Sequence, residues 1–139
     1  MTGLISTAAL VALALAAMWA WLRRRFLVVT IHGQSMEPTY RAGERVLVRR
    51  TPLSAVRPGQ VVVMTDPVPP GQWIIKRAVA VPGDPVPEVM DASADPGARV
   101  PEDCLVLLGD NPAVSVDSRR FGYFSGRRLL GVVSRRLRA

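Results

Sequence analysis

The one lysine of the chain, Lys76, is a candidate for a general base. It lies in an apolar run with the composition of a β-strand, whereas the other 17 of the 18 basic residues in this 139-residue chain are arginine. Burial and the neighbouring charge of Arg77 both disfavour the ammonium form, and a neutral amine can accept a proton. Arginine stays protonated and cannot do so. The alternative is an exposed lysine on an edge strand, whose ammonium reaches solvent.

Ser35 is the candidate nucleophile for this base. It lies between Gly33 and a Met-Glu-Pro turn, where a predicted strand ends and a hydroxyl can be presented. A serine hydroxyl is a weak nucleophile until a base removes its proton. Because most serines in loops only cap or stabilise turns, this position alone is a weak signal.

A third polar segment follows a predicted strand near the C-terminus. Residues Leu108–Gly122 combine aspartate, asparagine, serine and arginine side chains between two apolar runs. Such a density of short hydrogen-bonding groups after a strand suits the wall of a functional site. The alternative is an ordinary polar loop.

The composition excludes several other kinds of site. The only cysteine is Cys104 and the only histidine is His32, so an intramolecular disulfide and a cysteine-cluster metal site are excluded. A histidine-rich zinc site needs more ligands than one, and we expect neither a metal nor a cofactor. The net charge of +7 fits an anionic membrane surface, acidic partners or nucleic acid. Aromatic residues make up only 6%, which argues against binding of single strands by stacking, and we expect no nucleic-acid partner.

The N-terminal residues 1–25 are predicted to form a membrane anchor with a basic flank. Leu4–Leu22 carries no charge, and a helix of that length spans about 28 Å, close to the ~30 Å hydrocarbon core of a bilayer. Trp19 and Trp21 lie at its end, where interfacial aromatics belong, and Arg23–Arg25 follow. The alternative is a cleaved signal peptide, but no basic region precedes the run. By the positive-inside rule the arginines place the body in the cytoplasm.

Residues 26–139 are predicted to form one mostly β, barrel-like domain. Short apolar or alternating runs recur between turns rich in glycine and proline, which is typical of such a fold. The predicted strands are Phe26–Ile31, Arg45–Val48, Gln60–Met64, Trp73–Val81, Cys104–Leu108 and Leu129–Val133. Residues 84–103, rich in proline, aspartate and alanine, are predicted to be a loop or a minimal insertion.

These segments together resemble the type I signal peptidases, membrane-anchored Ser/Lys proteases that remove secretory signal peptides. The motifs SMEPT, KRAVAVPGD and GDNPAVSVDSRRFG begin at Ser35, Lys76 and Gly109 and occur in the family's order. The weaker segments RAGERVLV and RPGQVVVM resemble its intervening strands, so that the resemblance spans nearly the whole chain. It implies the family's β-sheet body with a barrel-like core and one N-terminal transmembrane helix, in a short, actinobacterial-like or maturation-protease-like member.

The resemblance also implies roles for individual residues. Ser35 would be the nucleophile and Lys76 the general base, with Ser115 orienting the lysine amine. The supporting ion-pair network would comprise Asp117, Arg119, Arg77 and Asp110. The backbone N–H of Ser35 is the expected oxyanion donor, whereas Gly33 would let the substrate approach closely. His32 is interpreted as incidental.

The implied function is cleavage of signal peptides from exported preproteins after small residues, by a single-pass membrane protein. Its partners would be the preprotein and the lipid bilayer. The family norm places the catalytic domain outside the cytoplasm, against the arginine cluster. One alternative is a dedicated maturation protease for a particular precursor, acting on the cytoplasmic face. Another is a non-catalytic, membrane-tethered binding protein that uses its C-terminal arginines.

Overall fold

The chain folds into one long helix followed by a curled antiparallel sheet, so the mostly β prediction is confirmed. A computed structural model describes residues 2–65, 72–90 and 97–137. The helices are α1 (Thr2–Arg25) and the short α2 (Ser118–Phe121), with single 3₁₀ turns at Leu53–Ala55 and Gly126–Arg128. The strands are β1 (Phe26–Thr30), β2 (Arg45–Arg49), β3 (Val61–Thr65), β4 (Trp73–Ala80), β5 (Cys104–Leu108), β6 (Phe124–Ser125) and β7 (Leu129–Leu137).

The seven strands form a half-barrel in the order β1-β2-β7-β3-β4-β5-β6. All of its pairings are antiparallel. Five strands match their predicted bounds within one residue, while β7 continues four residues beyond the predicted Val133. Neither β6 nor α2 was predicted, because each is too short to show a period. One of the predicted turns rich in glycine and proline, at 68–71, lies outside the described residues. So does 91–96 of the predicted loop, whose flanks pair at Pro85 and Arg99.

The central strand β3 is buried on both faces and separates two of the three core clusters, the third being formed by Ala80, Val100 and Val106. Val61 and Val63 pack into one cluster, and Val62 and Met64 into the other. A strand covered on both sides has an uninterrupted apolar sequence rather than an alternating one. Side chains alternate along a strand. Successive residues of the neighbouring strand β4, such as Lys76 and Arg77, therefore point to opposite sides of the sheet.

Between residues 7 and 25, helix α1 exposes its side chains on every side, and no described core residue lies on it. Its segment Thr7–Arg25 is long and apolar enough to cross a membrane, with a mean hydropathy of 1.2. A signal sequence near an N-terminus has the same length and composition. The helix runs three residues beyond the predicted end at Leu22, through Arg25, and β1 begins at the next residue. A helix of this kind is expected in lipid rather than in water.

Candidate active site

Ser35 and Lys76 line the same small pocket between the end of β1 and the start of β4. Its walls also include His32 and apolar side chains from β1, β3, β4 and the residue after β1, namely Val29, Ile31, Val63, Trp73, Ile74 and Ile75. Lys76 is only 5% exposed, so the alternative of an exposed lysine on an edge strand is wrong. Within the described part of the chain, no cluster of histidine, cysteine or acidic side chains could hold a metal ion.

The Ser35 segment is held from both sides. Gly33 has a φ of +78°, a left-handed conformation that favours glycine, and it turns the chain out of β1. A side chain at Gly33 would meet nothing within 4 Å, so that the space beside it is open. Met36 is 1% exposed and anchors the segment in the core. Asn111 donates its backbone N–H to the Ser35 carbonyl at 2.9 Å and its side-chain amide to the Gln34 carbonyl at 3.2 Å.

Lys76 is oriented by a short relay of hydrogen bonds. On β4 it pairs with Val62 of β3, and its Nζ donates to Ser115 Oγ at 3.1 Å. Ser115 Oγ in turn donates to Asp117 Oδ2 at 2.7 Å. A hydroxyl has one proton and two lone pairs. Because the proton is directed at the carboxylate, a lone pair of Ser115 faces the lysine amine.

Asp117 is fully buried and is the acceptor at the centre of this relay. Besides Ser115, it accepts from the backbone N–H of Gly109 at 2.8 Å and from Arg119, through Nη2 at 2.6 Å, Nε at 3.0 Å and the backbone N–H at 3.2 Å. Burial alone would raise the pKa of Asp117, but the bonds from Arg119, Ser115 and Gly109 outweigh it and hold that pKa well below its usual range. The carboxylate is therefore ionised throughout the neutral range.

Arg77 belongs to a separate ion pair on the other side of β4. It holds Asp110 with two parallel bonds, Nε to Oδ1 at 2.8 Å and Nη2 to Oδ2 at 2.6 Å. Its third nitrogen donates to the Gly59 carbonyl at 2.7 Å, and Thr39 Oγ1 donates to Asp110 Oδ2 at 2.5 Å. The bond from Arg77 lowers the pKa of Asp110. The charge of Arg77 is thus balanced by Asp110 rather than left open beside Lys76.

The structure adds Gly109 to Asn111 and Thr39 as residues of the site that the sequence reasoning did not single out. A Cβ at Gly109 would lie 2.1 Å from Ser115 Oγ and 2.6 Å from the Ser35 carbonyl oxygen. Real Cβ atoms do not come so close, so only glycine lets the Ser35 loop and Ser115 approach each other here. The sequence signal was its place directly before Asp110 and Asn111, which also hold the site.

Comparison with known proteins identifies the family. The family described as "Signal peptidase, peptidase S26" matches residues 4–92 and 87–137. The chain belongs to the signal peptidase family. Among curated family members it is 28% identical to signal peptidase I of Bacillus amyloliquefaciens, over 86% of this chain and 81% of that protein. It is 29% identical to signal peptidase IB of Staphylococcus aureus, over 79% and 78%.

Two further similarities are more limited. The chain is 36% identical to mitochondrial inner membrane protease subunit 1 of Schizosaccharomyces pombe, over 70% of this chain and 64% of that protein. A crystal structure of signal peptidase I from Enterococcus faecalis is 20% identical, with a TM-score of 0.44, over 58% of this chain and 97% of that one. That structural likeness is too low to support a conclusion. The family match itself makes the chain a peptidase of the signal peptidase type.

Because of the Asp117 network, the free energy of unfolding is expected to fall with pH in the acid range. Because the folded-state pKa of Asp117 is lowered, its stabilising contribution is complete above the pKa of the unfolded carboxyl and is lost as the pH falls below about 4. Asp117→Asn cannot accept the same bonds, and breaking a buried ion pair costs about 3–5 kcal/mol. We expect Asp117→Asn to lower the free energy of unfolding by this amount at pH 7. Below pH 4 the free energy of unfolding of the variant should change less with pH than that of the parent protein. Urea unfolding in detergent at several pH values measures both.

The matched control is Asp103→Asn at an exposed aspartate. It should stay within about 0.5 kcal/mol of the parent protein, as surface substitutions generally do. A stability curve for Asp117→Asn that runs parallel to that of the parent protein through the acid range would contradict the assignment of the buried charge.

Proposed function

We propose that this protein is a membrane-anchored serine endopeptidase that removes signal peptides, with Ser35 as nucleophile and Lys76 as general base. The observation that carries the proposal is the pocket that both residues line, in which Lys76 is buried and its amine is held by Ser115. A nucleophile, a base and a third group that orients the base form the arrangement that activates a weak hydroxyl. Membership in the signal peptidase family supports the same assignment.

The burial of Lys76 explains how its amine can serve as a base. Lys76 is only 5% exposed, and removing an ammonium from water disfavours its charged form. The neutral amine has two N–H groups and one lone pair. Donation of one N–H to Ser115 restricts the rotation of the amine. The lone pair is then available to a group in the pocket.

The reaction follows from these positions. Lys76 Nζ accepts the Ser35 hydroxyl proton as Oγ attacks the scissile carbonyl, and the carbonyl electrons move to its oxygen. The backbone N–H of Ser35 stabilises that oxyanion. The lysine proton then passes to the departing amine, which leaves an acyl group on Ser35. Lys76 then accepts a proton from a water molecule as the water oxygen attacks the ester carbonyl, the bond between the acyl carbon and Ser35 Oγ breaks, and Lys76 returns the proton to Oγ.

The remaining polar groups position this pair rather than react. Asp117 and Arg119 fix the proton direction of Ser115 and therefore the orientation of Lys76. Arg77 and Asp110 tie β4 to the segment that carries Asn111, which holds the Ser35 carbonyl. The two ion pairs thus support the two parts of the site separately, one through Ser115 and Lys76 and the other through β4 and the loop that holds Ser35.

The substrate is proposed to be an exported preprotein with small residues at the first and third positions before the cleaved bond. The pocket walls are formed largely by apolar side chains, which suits a small uncharged side chain. The open space beside Gly33 allows an extended backbone to approach Ser35. The names of the relatives as signal peptidases support this substrate class.

The dyad makes two substitutions decisive. Ser35→Ala removes the nucleophile, and Lys76→Arg keeps the charge but removes the base, because a guanidinium does not release its proton at neutral pH. Each should lower the rate of preprotein cleavage by at least about a thousandfold. The measurement is a gel assay of a purified preprotein with the full-length enzyme in detergent, with far-UV circular dichroism to confirm the fold.

Two matched controls separate chemistry from folding. Ser134→Ala removes an exposed hydroxyl on β7, and Arg127→Lys exchanges the same two residue types at an exposed turn. Both should cleave at the rate of the parent enzyme. Retained activity in folded Ser35→Ala or Lys76→Arg would refute the Ser-Lys mechanism.

The orientation is proposed to place the catalytic domain outside the cytoplasm, where exported preproteins emerge. A reporter enzyme that works only outside the cytoplasm, fused after Ala139, should therefore be active in cells. A second reporter that works only inside should be inactive at the same position. The reverse pair of results, with both fusions well expressed, would place the active site in the cytoplasm, as the arginines after the helix favour.

A further inference from the structure

The fold gathers arginines from two distant segments at the C-terminal end of α1. Arg23, Arg24 and Arg25 end the helix, and Arg49 and Arg50 lie at the end of β2. The backbone N–H of Arg50 donates to the Arg25 carbonyl at 2.9 Å, and Arg49 pairs with Phe26, the first residue of β1. These five residues are called the arginine cluster below.

The aromatic residues of α1 set the depth of this cluster. The guanidinium of Arg23 lies 5.9 Å from the ring centre of Trp19, and that of Arg25 lies 5.4 Å from the ring centre of Trp21. Tryptophan side chains at the end of a span occupy the headgroup level of a bilayer. The stacked guanidinium groups therefore lie at that level, and the Arg25–Arg50 hydrogen bond brings the end of β2 close to it.

The positive charge of the cluster is not balanced within the described protein. All five side chains are exposed. The salt bridges formed among the described residues involve Arg77, Arg119 and Arg136 and none of these five. The negative end of the helix dipole explains a preference for cations in the last turn of α1. It does not explain two further arginines brought there by β2.

We propose that the arginine cluster binds the anionic headgroups of the lipid leaflet on the side of the catalytic domain. Guanidinium groups bind phosphate through paired hydrogen bonds, and the cluster lies where a membrane would present phosphates. Binding through β2 as well as α1 holds the sheet at a fixed angle to the bilayer. The proposal rests on the placement of α1 in a membrane, as proposed above, but not on the peptidase chemistry.

The test uses the full chain in nanodiscs of phosphatidylcholine alone and in nanodiscs with a share of phosphatidylglycerol. The readout is hydrogen exchange at the amide of residue 50, which reports separation of β2 from α1. An arginine near an anionic surface contributes about 1 kcal/mol, so exchange should be about fivefold slower with phosphatidylglycerol. Added salt should reduce this ratio.

The variants identify which arginines are responsible. In Arg49→Gln/Arg50→Gln the ratio between the two lipids should fall to near one. In Arg41→Gln/Arg120→Gln, which removes the same charge from the turn before β2 and from α2, the ratio should be retained. Comparing the two lipids within each variant cancels its effect on intrinsic exchange and on stability. Loss of the ratio in both variants would assign the effect to net charge and overturn the proposal.

Three further results would also overturn it. A ratio near one in the parent protein shows that the headgroups do not hold β2. Binding of a labelled DNA duplex that requires Arg49 and Arg50, with a ratio near one, assigns the cluster to nucleic acid. Failure of the protein to enter phosphatidylcholine nanodiscs shows that α1 does not span a membrane.

The proposal is independent of the peptidase chemistry. The Ser35→Ala variant, which loses peptidase activity, should therefore keep the same ratio between the two lipids.

Discussion

The buried negative charge of Asp117 is the constraint on which the geometry of the pocket depends. It has no exposed surface and survives as a carboxylate because five hydrogen bonds reach it, from Gly109, Ser115 and Arg119. A protonated carboxyl would turn one of its acceptors into a donor. The ionised form fixes the direction of the Ser115 proton, which in turn decides that Ser115 accepts from Lys76. The orientation of the Lys76 amine is therefore determined by the charge of Asp117, two hydrogen bonds away.

Three consecutive residues after β5 link this charge to the rest of the site. Gly109 donates its N–H to Asp117, the side chain of Asp110 holds Arg77, and the N–H of Asn111 holds the Ser35 carbonyl. The polar loop thus contacts strand β4, the Ser35 loop and the buried carboxylate at once. A shift of this short segment would move Ser35 and Lys76 together. The segment packs so closely against Ser115 and the Ser35 carbonyl that a side chain at Gly109 would displace one of them.

The sequence predicts the strands well because alternation and turn residues are local signals. Its motifs also indicate which polar residues belong to a site, although the roles expected of Ser115, Asp117, Arg119, Arg77 and Asp110 follow only from the family resemblance. What it does not predict is non-local. The approach of Ser35 and Ser115 across Gly109, and the meeting of Arg50 with Arg25, depend on how strands pair and how the sheet curls. The two-residue β6 and four-residue α2 are stabilised by tertiary contacts and have no period of their own to detect.

The hydrogen bonds of Arg77, Arg119 and Lys76 explain why arginine occupies some positions of the site and lysine another. Arg77 and Arg119 each donate to a carboxylate through two guanidinium nitrogens, Nε and Nη2. The planar guanidinium group provides this geometry, whereas the ammonium group of a lysine does not. The Lys76 position has the opposite requirement. Lys76 is buried on β4, lines the pocket and donates to a serine hydroxyl. A guanidinium there would bring a permanent charge into a buried position, and removing a charge from water is costly. In a chain that otherwise uses arginine throughout, the single lysine stands where a cation able to lose its proton can be buried.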